Sequence, residues 1–124
     1  MISAAAMCLA MNIYHEARDQ GLVGQMAVAE VTMNRVEDKR WPNTVCKVVW
    51  QKNQFSWTHD GKTDRMYERI QRENAIIIAN AYVRGKMKSN FTNGSTFYHG
   101  YYVNPGWSKK YKKTITIGSH IFYK

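Results

Sequence analysis

Proline is nearly absent from this chain, with two in 124 residues, and glycine is sparse at eight. So few backbone breakers leave no room for a flexible linker or a turn-rich repeat array. The length suits one core and is too short for two, so one domain over residues 1–124 is expected. No apolar run is long enough to cross a bilayer. The apolar N-terminus also lacks the marks of a secretion signal. No basic segment precedes it, and it ends in Asn12, His15, Glu16 and Arg18 rather than in small residues. The sequence reads as made in a cytosol, with export to any outside target left to another agent. Cysteine is limited to Cys8 and Cys46. Both have apolar neighbours and read as small buried hydrophobes. A disulfide between them stays open, because two cysteines alone do not indicate one.

Acidic side chains are scarce as well: nine against 18 basic, for a net charge of +9. Such an excess points to a polyanionic partner, namely nucleic acid, an anionic envelope surface or an acidic glycan. The plainer but less favoured reading is a basic protein that has no specific anion. At 44% hydrophobic and 13% aromatic the chain is globular, not disordered. The run Lys109-Lys110-Tyr111-Lys112-Lys113 is a basic cluster, but no recognised nucleic-acid motif surrounds it, so no specific nucleic acid is expected.

What is present reads as a mainly helical α+β domain. Ser3 can cap a helix to about Arg18, which Gly21 breaks. A second helix covers roughly 22–37, with Met26, Ala27, Val31 and Met33 as apolar positions. Thr44 can cap a short helix carrying Val45, Val48 and Val49. Residues 51–62 show no periodicity and read as loop. Asp64 starts a long helix to about Val83, with Ile70, Ile77, Ile78 and Ala81 on its apolar face, and Gly85 ends it. The segments 95–102, 114–117 and 120–123 are β-prone and form a small C-terminal β element.

Glu16 is the candidate catalytic residue. It ends an uncharged stretch, one and two turns beyond Ile13 and Leu9 on one helical face. Burial and the negative end of a helix dipole both raise a carboxyl pKa. A carboxylic acid still protonated near neutral pH is what glycosidic bond cleavage needs. Asn12, one turn earlier, could orient the carboxyl or be merely solvated. The candidate cleft lining is Gln54, Phe55 and Ser56 from the loop, with Tyr98, His99 and Trp107. Aromatic faces suit sugar rings, and amides and hydroxyls suit their edges. For any one of these aromatics, closing the core is the commoner role. A metal is not expected: His15-Glu16-Ala17-Arg18-Asp19 resembles the zinc helix H-E-x-x-H, but Asp19 replaces the second histidine. A thiol nucleophile is disfavoured by the buried reading of both cysteines.

An ordered set of short motifs resembles the catalytic domain of the spore-cortex-lytic, SleB/CwlJ type of cell wall hydrolase. These are Tyr14-His15-Glu16-Ala17-Arg18, Gly24-Gln25-Met26-Ala27-Val28-Ala29 and Asn34-Arg35-Val36. Trp41-Pro42-Asn43-Thr44-Val45, Val48-Val49-Trp50-Gln51 and Gln54-Phe55-Ser56 follow. Phe97-Tyr98-His99, Asn104-Pro105-Gly106-Trp107 and residues 117–123 complete it. The resemblance implies a lysozyme-like, lytic-transglycosylase-like fold, action on peptidoglycan glycan strands, and Glu16 as the single essential glutamate. It also implies cleavage between MurNAc and GlcNAc, with the C6 hydroxyl of MurNAc closing on C1. That chemistry requires no second carboxylate and no cofactor, whereas hydrolysis ordinarily requires two carboxylates. Glu30, Asp60, Asp64 and Glu73 are among the available seconds, and none sits in a convincing motif. The chain departs from the family at His15, where glycine is common, and its 124 residues show no pattern that reads as a signal peptide or a wall-binding domain. A short, basic, monomeric phage endolysin is therefore expected, held in the host cytoplasm before lysis and drawn to the anionic envelope. The alternatives are a hydrolytic muramidase, an N-acetylmuramoyl-L-alanine amidase, and a non-catalytic basic module that binds nucleic acid or wall polymer.

Overall fold

The computed structural model describes residues 2–52 and 54–124. Helix α1 runs Ala4–Ala17, and the Ser3 hydroxyl caps it by accepting from Ala6 N–H at 3.1 Å. Its inward stripe of Ala6, Leu9, Ala10, Ile13 and Ala17 is fully buried. Burying a leucine or isoleucine contributes about 1.5–3 kcal/mol each. Helix α2, Leu22–Glu37, is buried on most of its circumference because it separates two packed groups. On one side Met26 and Ala29 join α1, α3 (Val45–Val49) and α4 (Arg69–Val83) in the main core. On the other, Ala27 and Val31 pack against Phe122 of the sheet. Thr44 caps α3 as expected, accepting from Lys47 N–H at 3.2 Å.

The sheet has three antiparallel strands in the order β1 (Phe97–Gly100), β3 (His120–Tyr123), β2 (Lys113–Ile117). Tyr98 pairs with Phe122 and His99 with Ile121. Gly118 makes the β2–β3 turn with φ of 56°, a left-handed conformation in which a side chain is strained.

Three sequence expectations are corrected. Helix α4 begins at Arg69, not at Asp64. Tertiary hydrogen bonds hold the preceding segment out of the helix. His15 Nε2 donates to the Asp64 carbonyl at 2.8 Å, and Arg72 donates to that of Met66 at 3.0 Å. Glu68 N–H donates to the Tyr14 hydroxyl, also at 3.0 Å. The buried face of α4 is Ala75, Ile78, Ala79 and Tyr82, while Ile70 and Ile77 are exposed. That face, with Ala75 and Ala79 beside Ile78, packs α4 against α1. The loop at 51–62 also contains a 3-10 turn, Ser56–His59, that drives Trp57 into the core.

Candidate active site

Glu16 lies in the last turn of α1, where three adjoining hollows meet. The largest is a cleft of about 830 Å³ running between the 54–68 segment and the β1–β2 connection. Tyr98, on β1, donates its hydroxyl to Glu16 Oε1 at 2.7 Å. Burial raises the Glu16 pKa above the ordinary carboxyl value; the Tyr98 hydrogen bond and the positive charge of Arg35 oppose that rise. The negative end of α1 acts in the same upward direction. The Tyr98 bond engages Oε1 and leaves Oε2 outside it. Burial and the neighbouring Glu16 push the Tyr98 phenol well above its usual pKa, so it remains a donor.

Asn12 does not orient Glu16. It is fully buried, and its Oδ1 accepts from Trp57 Nε1 at 2.8 Å. Its Nδ2 has no hydrogen-bond partner among the described residues, although it lies near enough to restrain the rise in the Tyr98 pKa. Trp57 in turn stacks on His15, with ring centroids 4.7 Å apart. His15 thus ties the wall of the cleft to the end of α1 through both a ring stack and the Asp64 carbonyl.

The residues expected to line the cleft converge on Glu16 from distant parts of the chain. Gln54, Ser56, Tyr98, His99 and Trp107 all line the large cleft. Phe55 is buried in the core and reaches only a smaller hollow of about 220 Å³ beside Glu16. His99 is held by both ring nitrogens. Nδ1 donates to the Gly100 carbonyl at 2.7 Å, which leaves Nε2 to accept from the Tyr123 hydroxyl at 2.8 Å. Its contribution to the cleft is therefore a ring face and edge. His120, unforeseen in the sequence, meets the Tyr98 ring edge-on at 5.2 Å. Burial lowers its pKa, with nearby Asp19 opposing that shift and His99 adding to it.

Arg35 is the most consequential residue missed as a site candidate. Helical spacing held the signal: Val28, Val31 and Arg35 fall at i, i+3 and i+7 on the inward face of α2. Arg35 lines the smaller hollow together with Glu16 and Tyr98.

The candidate second carboxylates disperse. Glu30 is buried under the 89–92 segment, and Glu73 pairs with Arg69 on the exposed face of α4. Asp64 lies in the segment before α4, its carbonyl taken by His15, whereas Asp60 lines the cleft; so does Glu68, not named from the sequence, which pairs with Arg18 at 3.4 Å. Cys8 and Cys46 form a disulfide joining α1 to α3, so neither offers a thiol nucleophile. Both are partly exposed, unlike the fully buried residues the sequence suggested. Among the described residues, no three His, Cys, Asp or Glu side chains converge to hold a metal ion.

Known proteins share this architecture. The spore cortex-lytic enzymes of Halalkalibacterium halodurans and Oceanobacillus iheyensis are 29% and 30% identical to the chain over 119 and 121 residues. Those matches cover 92% and 94% of this chain but only 33% and 40% of the relatives, so the chain spans well under half their length. The catalytic domain of the Bacillus cereus SleB protein superposes with a TM-score of 0.74 at 26% identity, covering 100% of this chain and 93% of that one. The catalytic domain of the germination-specific lytic transglycosylase SleB from Bacillus anthracis gives 0.76 at 28% identity, covering 98% and 96%. A family model described as Cell Wall Hydrolase matches residues 19–123, beginning just after Glu16. That match takes in every element from α2 to β3 and most of the chain, so the chain belongs to the cell wall hydrolase family.

Proposed function

We propose that this chain cleaves the MurNAc–GlcNAc bond of peptidoglycan as a lytic transglycosylase, with Glu16 as general acid and then general base. The observation that carries the reading is the Glu16 carboxyl itself: its pKa is raised by burial, and one oxygen is fixed by Tyr98 while the other is left for a substrate. Glu16 Oε2–H protonates the bridging oxygen as the C1–O bond breaks and its electrons pass to the leaving GlcNAc. The carboxylate then takes the proton of the C6 hydroxyl as that oxygen closes on C1. The likeness to a catalytic domain described as a lytic transglycosylase supports this choice of reaction. Gln54, Ser56, Tyr98, His99 and Trp107 line the path of the glycan, and Phe55 backs the smaller hollow.

Asp60, in the same cleft, supports the hydrolytic alternative, in which a second carboxylate activates water. Mass spectrometry of digested peptidoglycan separates the readings. Anhydro-muropeptides are the expected product; reducing ends would mean a muramidase, and free peptides an amidase. Glu16→Gln should keep the fold and lose wall cleavage by roughly 100- to 10,000-fold. Full activity in that variant overturns the assignment.

The finer role is lysis of a bacterial host from within, as an endolysin. The net charge of +9 supports it, since a basic protein gathers on an anionic envelope. Expression in a host cytosol should leave cells intact until the inner membrane is permeabilised. Lysis without permeabilisation, or none after it, refutes the role.

A further inference from the structure

Arg35 is a buried cation with little to hold it. Its Nε donates to the Thr96 carbonyl at 2.7 Å, and its Nη1 is buried without a hydrogen-bond partner among the described residues. Nor does it form an ion pair within 4 Å among those residues. The guanidinium instead lies over three rings, 5.2 Å from Trp41, 5.2 Å from Phe55 and 5.6 Å from Phe97. Cation–π contacts compensate part of the desolvation of a buried charge but leave a large penalty standing. Packing alone would favour an apolar residue here. The smaller hollow of about 220 Å³ is where the charge becomes useful, since Arg35 shares it with Glu16 and Tyr98.

We propose that Arg35 is a positioning residue for Glu16: set behind the Tyr98–Glu16 hydrogen bond, it stabilises the carboxylate that Glu16 becomes once its proton has left. This rests on the reading of Glu16 as the acid. Proton transfer to the bridging oxygen creates a negative charge in a poorly solvated place, and a fixed cation nearby favours that step without touching the substrate. Burial lowers the Arg35 pKa to about 10, so it is still charged at neutral pH. The other charged and titratable groups around Glu16 are differently placed. Arg18 is engaged by Glu68, His15 by the Asp64 carbonyl, and His99 by the Gly100 carbonyl and the Tyr123 hydroxyl; His120 meets the Tyr98 ring edge-on, and Asp19, Asp60, Lys62 and Arg65 are exposed.

The test has two arms. In the first, kcat/KM on isolated walls is followed against pH for Arg35→Met and Arg35→Lys. The high-pH limb, where Glu16 must still hold its proton, should move to higher pH in Arg35→Met and return toward the unsubstituted position in Arg35→Lys. Activity in Arg35→Met should fall about tenfold or more, as expected when a charge that favours the transition state is removed. A fall in activity with the limb unmoved overturns the proposal and leaves Arg35 a structural residue. The second arm needs no folding-sensitive variant. By NMR, the Arg35 guanidinium of the unsubstituted protein should titrate in step with the Glu16 carboxyl, and that step should vanish in Glu16→Gln. An Arg35 signal blind to Glu16 overturns the proposal even if Arg35→Met does not fold. Full activity of Glu16→Gln would instead sink the reading of the acid, a result distinct from either failure.

Discussion

Replacing Glu30 with glutamine should unfold this protein early while sparing its chemistry. Glu30 is 3% exposed and accepts four hydrogen bonds from one short segment. Oε2 takes Ser89 Oγ and Phe91 N–H, while Oε1 takes Thr92 N–H and Thr92 Oγ1. An amide at this position keeps one oxygen and puts an NH₂ where the other stood. If the oxygen stays on Thr92, the NH₂ faces Phe91 N–H, and two donors cannot bond. One unpaired buried donor costs about 1–3 kcal/mol. The two bonds that remain lose their charge assistance and roughly half their strength. The sum is about 2–4 kcal/mol, a sizeable part of the roughly 5–15 kcal/mol that holds a domain together. For a chain of this size the melting temperature should fall by roughly 10 °C. Urea unfolding measures the effect as a lower midpoint at unchanged slope. An unchanged midpoint refutes the reasoning. So does a stable variant that no longer cleaves walls, because that result would make Glu30 a reacting carboxylate and not a structural one.

Two further outcomes follow from the same physics. The Cys8–Cys46 bridge spans 38 positions in sequence, and closing a loop of that length contributes about 4 kcal/mol through the unfolded chain. Reduction, or the pair Cys8→Ser and Cys46→Ser, should lower the urea midpoint accordingly; coincident curves for the oxidised and reduced protein would refute it. Burial raises the folded-state pKa of Glu16 above its ordinary 4.5, so the stability this group brings is complete below that value and lost as pH rises through the folded-state pKa. Glu16→Gln escapes that loss and should gain stability relative to the unsubstituted protein between acid and neutral pH. Parallel stability–pH curves for the two proteins would contradict the raised pKa.

Helix α1 was readable because everything that makes it is local. Ser3 caps it, an alanine-rich run extends it, and Leu9 and Ile13 face the core with Glu16 at its end. The same holds for α2, for α3 behind its Thr44 cap, and for the alternating strand at 113–117. The start of α4 was not readable. Within residues 64–68 only the Arg65 N–H bond to the Thr63 hydroxyl is local, and the other hydrogen bonds go to Tyr14, His15 and Arg72.

The sequence by itself determined the class of the fold, the position of Glu16 at the end of an apolar helix, and the ordered motifs of a family. Those are properties of spacing and residue type, which survive without knowledge of any partner. Only the tertiary structure decided what acts on that carboxyl. Tyr98 comes from a strand 82 positions away to bond it, while Asn12, one turn away on the same helix, turns instead to Trp57. Arg35 is brought beside it by the packing of α2 between core and sheet. A pKa is set by burial and by neighbours in space, and neither quantity is encoded by distance along the chain.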